Sequence, residues 1–256
     1  MNAFFHKVNF KLQIGTWIMS GNPIITEVLA CAGYDFLVID AEHGPGSIQG
    51  LLYQIHAVES RQHGQVQAIV RCPSHDPVFV KQAMDIAGVE NFMFPMVTDA
   101  SQAEALVSAC RYAPEGSRGV AKMIRAAQFG LDADYIKDAR NRVGIIAQVE
   151  TPEALENAVS IGSVDGINSV FIGPGDLAVA TGYSRGMADD RLRTLISDSV
   201  RRCREAGVVI GTVMPTPALA HWFLEQGGSY VAIASDLALL LNNARVDLAA
   251  MTEAHA

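Results

Sequence analysis

Phe36–Pro45 reads FLVIDAEHGP: the apolar run Phe36-Leu37-Val38-Ile39 passes without alternation into Asp40, then Glu42, His43 and a Gly44-Pro45 turn. A strand buried on both faces has this form, because helices covering a parallel sheet leave neither face to water. The pattern recurs at Ile14–Ile18, Gln67–Arg71, Asn91–Met96, Gly144–Glu150, Ser169–Gly173, Val208–Val213 and Tyr230–Ser235. Segments of helical period lie between these runs. Helix starts are marked by Asn22-Pro23, Asp76-Pro77, Thr98-Asp99, Thr151-Pro152 and Thr216-Pro217, and ends by Ala32-Gly33, Ala87-Gly88, Ala206-Gly207 and Gln226-Gly227-Gly228. Eight strands in 256 residues allow about 32 residues per unit, the size of one βα repeat in a barrel of roughly 250 residues. A doubly wound sheet fits less well: it usually has fewer strands, and a dinucleotide-binding one needs a G-x-G-x-x-G after its first strand, which this chain lacks. The expectation is an α/β fold, a single (β/α)8 TIM barrel occupying residues 1–256 as one domain.

Composition narrows the class. Hydrophobic residues make up 50 % and charged residues 18 %, which excludes a disordered chain. A net charge of −8 argues against nucleic acid or an anionic membrane as partner. No apolar run approaches a bilayer span, and Met1–Phe10 has no continuous apolar stretch of the signal-peptide kind. A cytoplasmic protein is expected. Cys31, Cys72, Cys110 and Cys203 have no zinc-like spacing and read as reduced thiols filling the core.

In a barrel of this kind chemistry sits at the C-terminal ends of the strands. Four strands deliver polar groups there: Asp40, Glu42 and His43 after the second, Arg71 after the third, Gln148 and Glu150 after the fifth, and Gly173-Pro174-Gly175-Asp176 after the sixth. Glu150 and Asp176 end neighbouring strands and form a hard oxygen pair suited to Mg²⁺ or Mn²⁺; a surface pair, or Asp176 as a helix cap, is the plainer alternative. The Gly-Pro-Gly turn could offer backbone N–H groups to a carboxylate or phosphate, or be only a turn. Arg71 could clamp a carboxylate, polarise a carbonyl, or simply pair with Asp40 or Glu42. His43 is the natural general base, or else a third metal ligand. The other histidines read as bland: His6, His63 and His255 exposed, His56 and His221 on helices, His75 ahead of one. The connection from Met96 to Gly144, with its Gly/Pro/Arg-rich Arg111–Gly119, is long enough to suggest function.

Phe36–Pro45, Val70–Pro73, Asp76-Pro77 with Lys81-Gln82, Pro95-Met96-Val97, Arg111–Val120 (RYAPEGSRGV), Gln148–Thr151 (QVET) and Phe171–Leu177 (FIGPGDL) together resemble the HpcH/HpaI family of class II, pyruvate-dependent aldolases. The resemblance spans almost the whole chain. It implies reversible cleavage of a 4-hydroxy-2-oxo acid, such as a 2-keto-3-deoxy sugar acid or a hydroxy-keto-dioate, to pyruvate and a small aldehyde. It implies a divalent metal (Mg²⁺ or Mn²⁺, with Co²⁺ a further candidate) on Glu150 and Asp176, with Asp40 and Glu42 near its waters and no organic cofactor. Pyruvate's carboxylate would meet the backbone of Gly175 and Asp176 beside Gln148, Arg71 would stabilise the enolate oxygen, and His43 would be the base. Asp85 would match the acid that raises the basicity of His43, although the residues alone read it as a helix-surface position. The family further implies a swapped eighth helix and a hexamer, a trimer of dimers, which the apolar Leu237–Leu241 permits. Gly175 stands where alanine is more usual, and Ala121–Phe129 departs from the sugar-acid aldolases. Trp17 and Val213, at the first and seventh strand ends, are expected to border the aldehyde pocket. An acyl-CoA lyase of the citrate-lyase β type would want a basic patch, which is not apparent. A non-catalytic metal-binding barrel would have lost its base or ligands, yet His43, Arg71, Glu150 and Asp176 are all present. None of Lys7, Lys11, Lys81, Lys122 and Lys137 falls at a strand end, so a Schiff-base route is not favoured.

Overall fold

The computed structural model describes residues 2–60 and 66–253; His63 and His255 lie outside the described residues. The chain runs α1 (Ala3–Val8), β1 (Gln13–Ile18), α2 (Pro23–Cys31), β2 (Phe36–Asp40), α3 (Ile48–Glu59), β3 (Gln67–Arg71), α4 (Pro77–Gln82) with a π-helical turn at Ala83–Ala87, and β4 (Asn91–Phe94). It continues through α5 (Ala100–Cys110), α6 (Tyr135–Arg142), β5 (Gly144–Val149), α7 (Pro152–Glu156), α8 (Ala158–Gly162), β6 (Ser169–Ile172) and α9 (Pro174–Thr181). It ends with α10 (Asp190–Glu205), β7 (Ile210–Met214), α11 (Pro217–Glu225), β8 (Tyr230–Ser235) and α12 (Asp236–Glu253). The eight strands follow one another around a closed barrel, and β1 pairs in parallel with both β2 and β8. No helix among the described residues is long and apolar enough to cross a membrane.

The helix-start signals hold at the atomic level. Asn22, Asp76, Asp99, Thr151 and Thr216 each accept a first-turn N–H in their side chain, and a proline follows four of them directly. The strands lack alternation because both faces are apolar, yet their side chains still alternate in destination. Phe36 and Val38 point into the barrel with Ile69, Met93, Ile146, Phe171 and Tyr230, while Leu37 and Ile39 join the layer under the helices. The interior aromatics need room: a Cβ on Gly15 would meet the Phe36 ring at 2.3 Å.

Several boundaries move. The fourth strand stops at Phe94, and Met96 turns into the left-handed region at φ 54°. The fifth and sixth stop one residue earlier than the sequence suggests, which leaves Glu150 in a loop and makes Gly173 the N-cap of α9. The seventh starts at Ile210, because the Val208 N–H still binds Cys203 O at the end of α10. All four cysteines are free thiols; Cys72, Cys110 and Cys203 fill the core, but Cys31 is exposed at the end of α2. The sequence also gave no warning of α1, which lies across the N-terminal mouth and buries Phe4, Phe5 and Val8 against the barrel interior.

Candidate active site at the C-terminal rim

The rim residues meet where the strand ends predict. A cavity of ≈ 500 Å³ is walled by Trp17 from β1, His43 after β2, Arg71 from β3, Gln148 and Glu150 at β5, Asp176 on α9 and Val213 on β7. Two larger cavities, ≈ 590 and ≈ 650 Å³, lie against the starts of β3 and β4 and between α5 and α8, away from the strand C-termini. None of the five lysines lines the rim cavity.

Arg71 is its organising cation. Its Nε and Nη2 donate to Asp40 Oδ1 and Oδ2 at 3.0 and 2.6 Å, and Nη1 reaches Glu42 Oε2 at 2.9 Å. The guanidinium stacks 4.5 Å from the centre of the Trp17 ring. Arg71 therefore makes the ion pairs that were one of its alternatives. A guanidinium carries five N–H groups, so these contacts still leave donors for a ligand. Asp40 is fixed in turn, because its Oδ1 also accepts the backbone N–H groups of Glu42 and His43. That turn sets His43 at the mouth, exposed, with Nε2 3.8 Å from Glu42 Oε2.

Glu150 is buried. Its Oε1 accepts from Gln148 Nε2 at 2.8 Å and its Oε2 from the Met96 N–H at 2.9 Å. The backbone at Gly173 has come so close that a Cβ there would meet Glu150 Oε1 at 2.3 Å. Burial raises the Glu150 carboxyl to about 7; the Met96 N–H opposes the rise, and the charges of Asp176 and Glu42 add to it. Burial also lifts the Glu42 carboxyl, against the pull of Arg71 and His43. Asp176 is exposed and sits in the first turn of α9, not at the cap. The N–H groups of Gly175 and Asp176 belong to that first turn, where no helical carbonyl is available to them. A Cβ at Gly175 would meet nothing within 4 Å, so glycine is not sterically required there.

Among the described residues no group of three or more His, Cys, Asp or Glu is arranged to hold a metal ion. The donors nonetheless fit a hard divalent cation with an incomplete protein shell. Two carboxylates stand at adjacent strand ends, one of them held back from ionising by burial and like charge, and the buried Gln148 Oε1 has no hydrogen-bond partner. Asp85 is the exception to the predicted assembly. It lies in the π-helical turn after α4, and its carboxylate is paired with Arg118 at 2.6 Å rather than with His43. Residues the sequence reading missed include Met19, Met214, Ala234, Ser235 and Asn242 on the cavity wall, and Met96. Ala234, like Met96, has a positive φ (55°); neither residue type advertises that conformation.

A family model described as HpcH/HpaI aldolase/citrate lyase matches residues 13–243. A 2-dehydro-3,6-dideoxy-6-sulfogluconate aldolase of Pseudomonas putida is 39% identical over 238 residues, covering 93% of this chain and 92% of the relative. A 5-keto-4-deoxy-D-glucarate aldolase of Klebsiella pneumoniae is 37% identical, with 89% and 87% covered. Among solved structures, an HpcH/HpaI aldolase/citrate lyase family protein from Burkholderia cenocepacia superposes with a TM-score of 0.93 at 31% identity, over 98% of this chain and 100% of that one.

Proposed function

The chain belongs to the HpcH/HpaI aldolase/citrate lyase family and is an aldolase, a carbon–carbon lyase; from that premise we propose that it works as a class II, divalent-metal-dependent enzyme. Its substrate is a 4-hydroxy-2-oxo acid of the 2-keto-3-deoxy sugar acid or hydroxy-keto-dioate kind, cleaved reversibly to pyruvate and a small aldehyde. Sugar acids are favoured, since both relatives are named for them. The observation that carries the proposal is the gathering of Glu42, Glu150 and Asp176 at one rim, where burial raises Glu150 to about 7 and the charges of Asp176 and Glu42 add to the rise.

Glu150 and Asp176 would hold Mg²⁺ or Mn²⁺, which when bound supplies the positive charge that favours an enolate. The free N–H groups of Gly175 and Asp176 receive the substrate carboxylate, beside Gln148. Arg71, locked by Asp40 and Glu42 and stacked on Trp17, turns its remaining donors to the keto oxygen where charge develops. His43 removes the 4-hydroxyl proton in cleavage; the C3–C4 bond breaks, the aldehyde leaves, and protonation of C3 completes pyruvate. Trp17 and Val213 border the aldehyde. Within the chain Asp85 is paired with Arg118.

The assembly we infer is a cytoplasmic homo-oligomer, a hexamer formed as a trimer of dimers, with α12 swapped onto a neighbour. The exposed Leu240, Leu241, Val246, Leu248 and Met251 on α12 support it, since apolar surface of this extent is usually covered. Removing metal with a chelator should abolish pyruvate release, and Mg²⁺ or Mn²⁺ should restore it. Full activity after exhaustive chelation, together with borohydride trapping of pyruvate on a lysine, would sink the proposal.

A further inference from the structure

The peptide joining Pro95 to Met96 is gripped at both ends. Its N–H, on Met96, donates to Glu150 Oε2 at 2.9 Å, and its carbonyl, on Pro95, lies 2.6 Å from His75 Nε2. A carbonyl only accepts, so His75 Nε2 carries the proton. The turn is strained, because Met96 holds φ 54° without being glycine. Packing does not explain how it is kept, since the Met96 side chain is 46% exposed. Hydrogen bonds do: the next amide, Val97 N–H, is tied to Gln148 O at 2.9 Å. His75 is itself held in place. Asp76 beside it caps α4 through the Val78 N–H at 2.8 Å, and the His75 ring meets Phe94 edge-on at 6.3 Å.

We propose that His75 is a positioning residue for the active site, acting through the Pro95–Met96 peptide to aim its N–H at Glu150. A donor on the carbonyl polarises the amide and strengthens the bond made by the N–H at its other end. It also resists relaxation of the left-handed turn, which would swing that N–H away. Outer partners that orient a ligand in this way commonly matter tenfold or more to metal affinity. The inference rests on the reading of Glu150 as a metal ligand, but its geometric part can be tested separately.

His75→Phe keeps the ring contact with Phe94 and removes the donor. His75→Gln returns an N–H near the place of Nε2. Amide hydrogen exchange on the metal-free chain should show the Met96 N–H losing protection about tenfold or more in the Phe variant and regaining it in the Gln variant, with the melting temperature of each near that of the wild type. Mn²⁺ binding, followed by calorimetry, should weaken about tenfold in the Phe variant and recover to within about threefold in the Gln variant. Unchanged Met96 protection in the Phe variant, or a Gln variant no better than Phe in either measurement, overturns the role of His75. Wild-type protein that binds no Mn²⁺ overturns the metal reading instead, while the exchange experiment still decides the positioning.

Discussion

The two mouths of the barrel are made from the same eight strands and have opposite characters. At the N-terminal mouth α1 sets Phe4 edge-on to Phe36 and Tyr230 at 5.3 and 5.5 Å, and the Tyr230 hydroxyl is paired with Ser169 at 2.9 Å. At the C-terminal mouth Asp40, Glu42, Glu150 and Asp176 share one arginine in direct contact with two of them. The closed end is filled by aromatic rings beside the neutral amides Gln13 and Asn91, each of which leaves its side-chain oxygen without a hydrogen-bond partner. The open end carries like charges that would be costly to bury without a cation. On the proposed function, chemistry falls to the open end of the strands and stability to the closed one, as this architecture generally allows.

The contrast is tested most severely by Glu150→Gln. Aldol cleavage should fall by about 10³-fold or more, the scale of removing a group on which transition-state charge stabilisation depends. The metal-free variant should nevertheless melt no lower than the wild type at pH 8, and an active variant would erase the distinction between the mouths. At the other end, Phe4→Ala removes a fully buried ring and should cost about 3–5 kcal/mol of stability. Its kcat and KM should be unaltered at a temperature where it is folded; a selective loss of kcat would mean that the plug serves the chemistry.

A smaller effect is expected from pH. The Glu150 carboxyl stands at about 7 in the folded chain against an ordinary value of 4.5, so the folded state holds its proton more tightly. This contribution is fully present below about 4.5 and is lost as pH rises through about 7, on the order of 3 kcal/mol. Metal-free wild type should therefore lose several degrees of melting temperature between pH 5 and pH 8 from this source, and Glu150→Gln should lack that component. Equal slopes in the two proteins would show that Glu150 does not bear the charge stress. The smallest change is expected from Trp17→Phe, which preserves an aromatic face for Arg71: KM for the aldehyde should shift by about tenfold or less with pyruvate enolisation nearly intact.

The comparison also shows what the sequence could and could not convey. Strand positions and helix caps were legible because apolar runs and Asn/Asp/Thr-Pro signals act locally. The gathering of Asp40, Arg71, Glu150 and Asp176 at one rim was legible because a charge at the end of an apolar strand stands out, and the barrel brings such ends together; the polar Gln148 comes with Glu150. The plug was not, since Phe4 and Phe5 form too short a pattern to separate from an ordinary terminus. The left-handed backbone of Met96 and Ala234 arises from tertiary contacts, which the identities Met and Ala do not encode. The partner of Asp85 was not legible for a related reason: only the fold reveals that Arg118, distant in sequence, engages its carboxylate.

The central claim is that the carboxylate-rich mouth activates pyruvate with a divalent metal and Arg71. It is tested most directly by deuterium exchange into the pyruvate methyl group, with no aldehyde present. Wild-type protein with Mn²⁺ should exchange readily, and both the metal-stripped protein and Arg71→Ala should lose nearly all of that rate. Exchange at the full wild-type rate in either one would contradict the account.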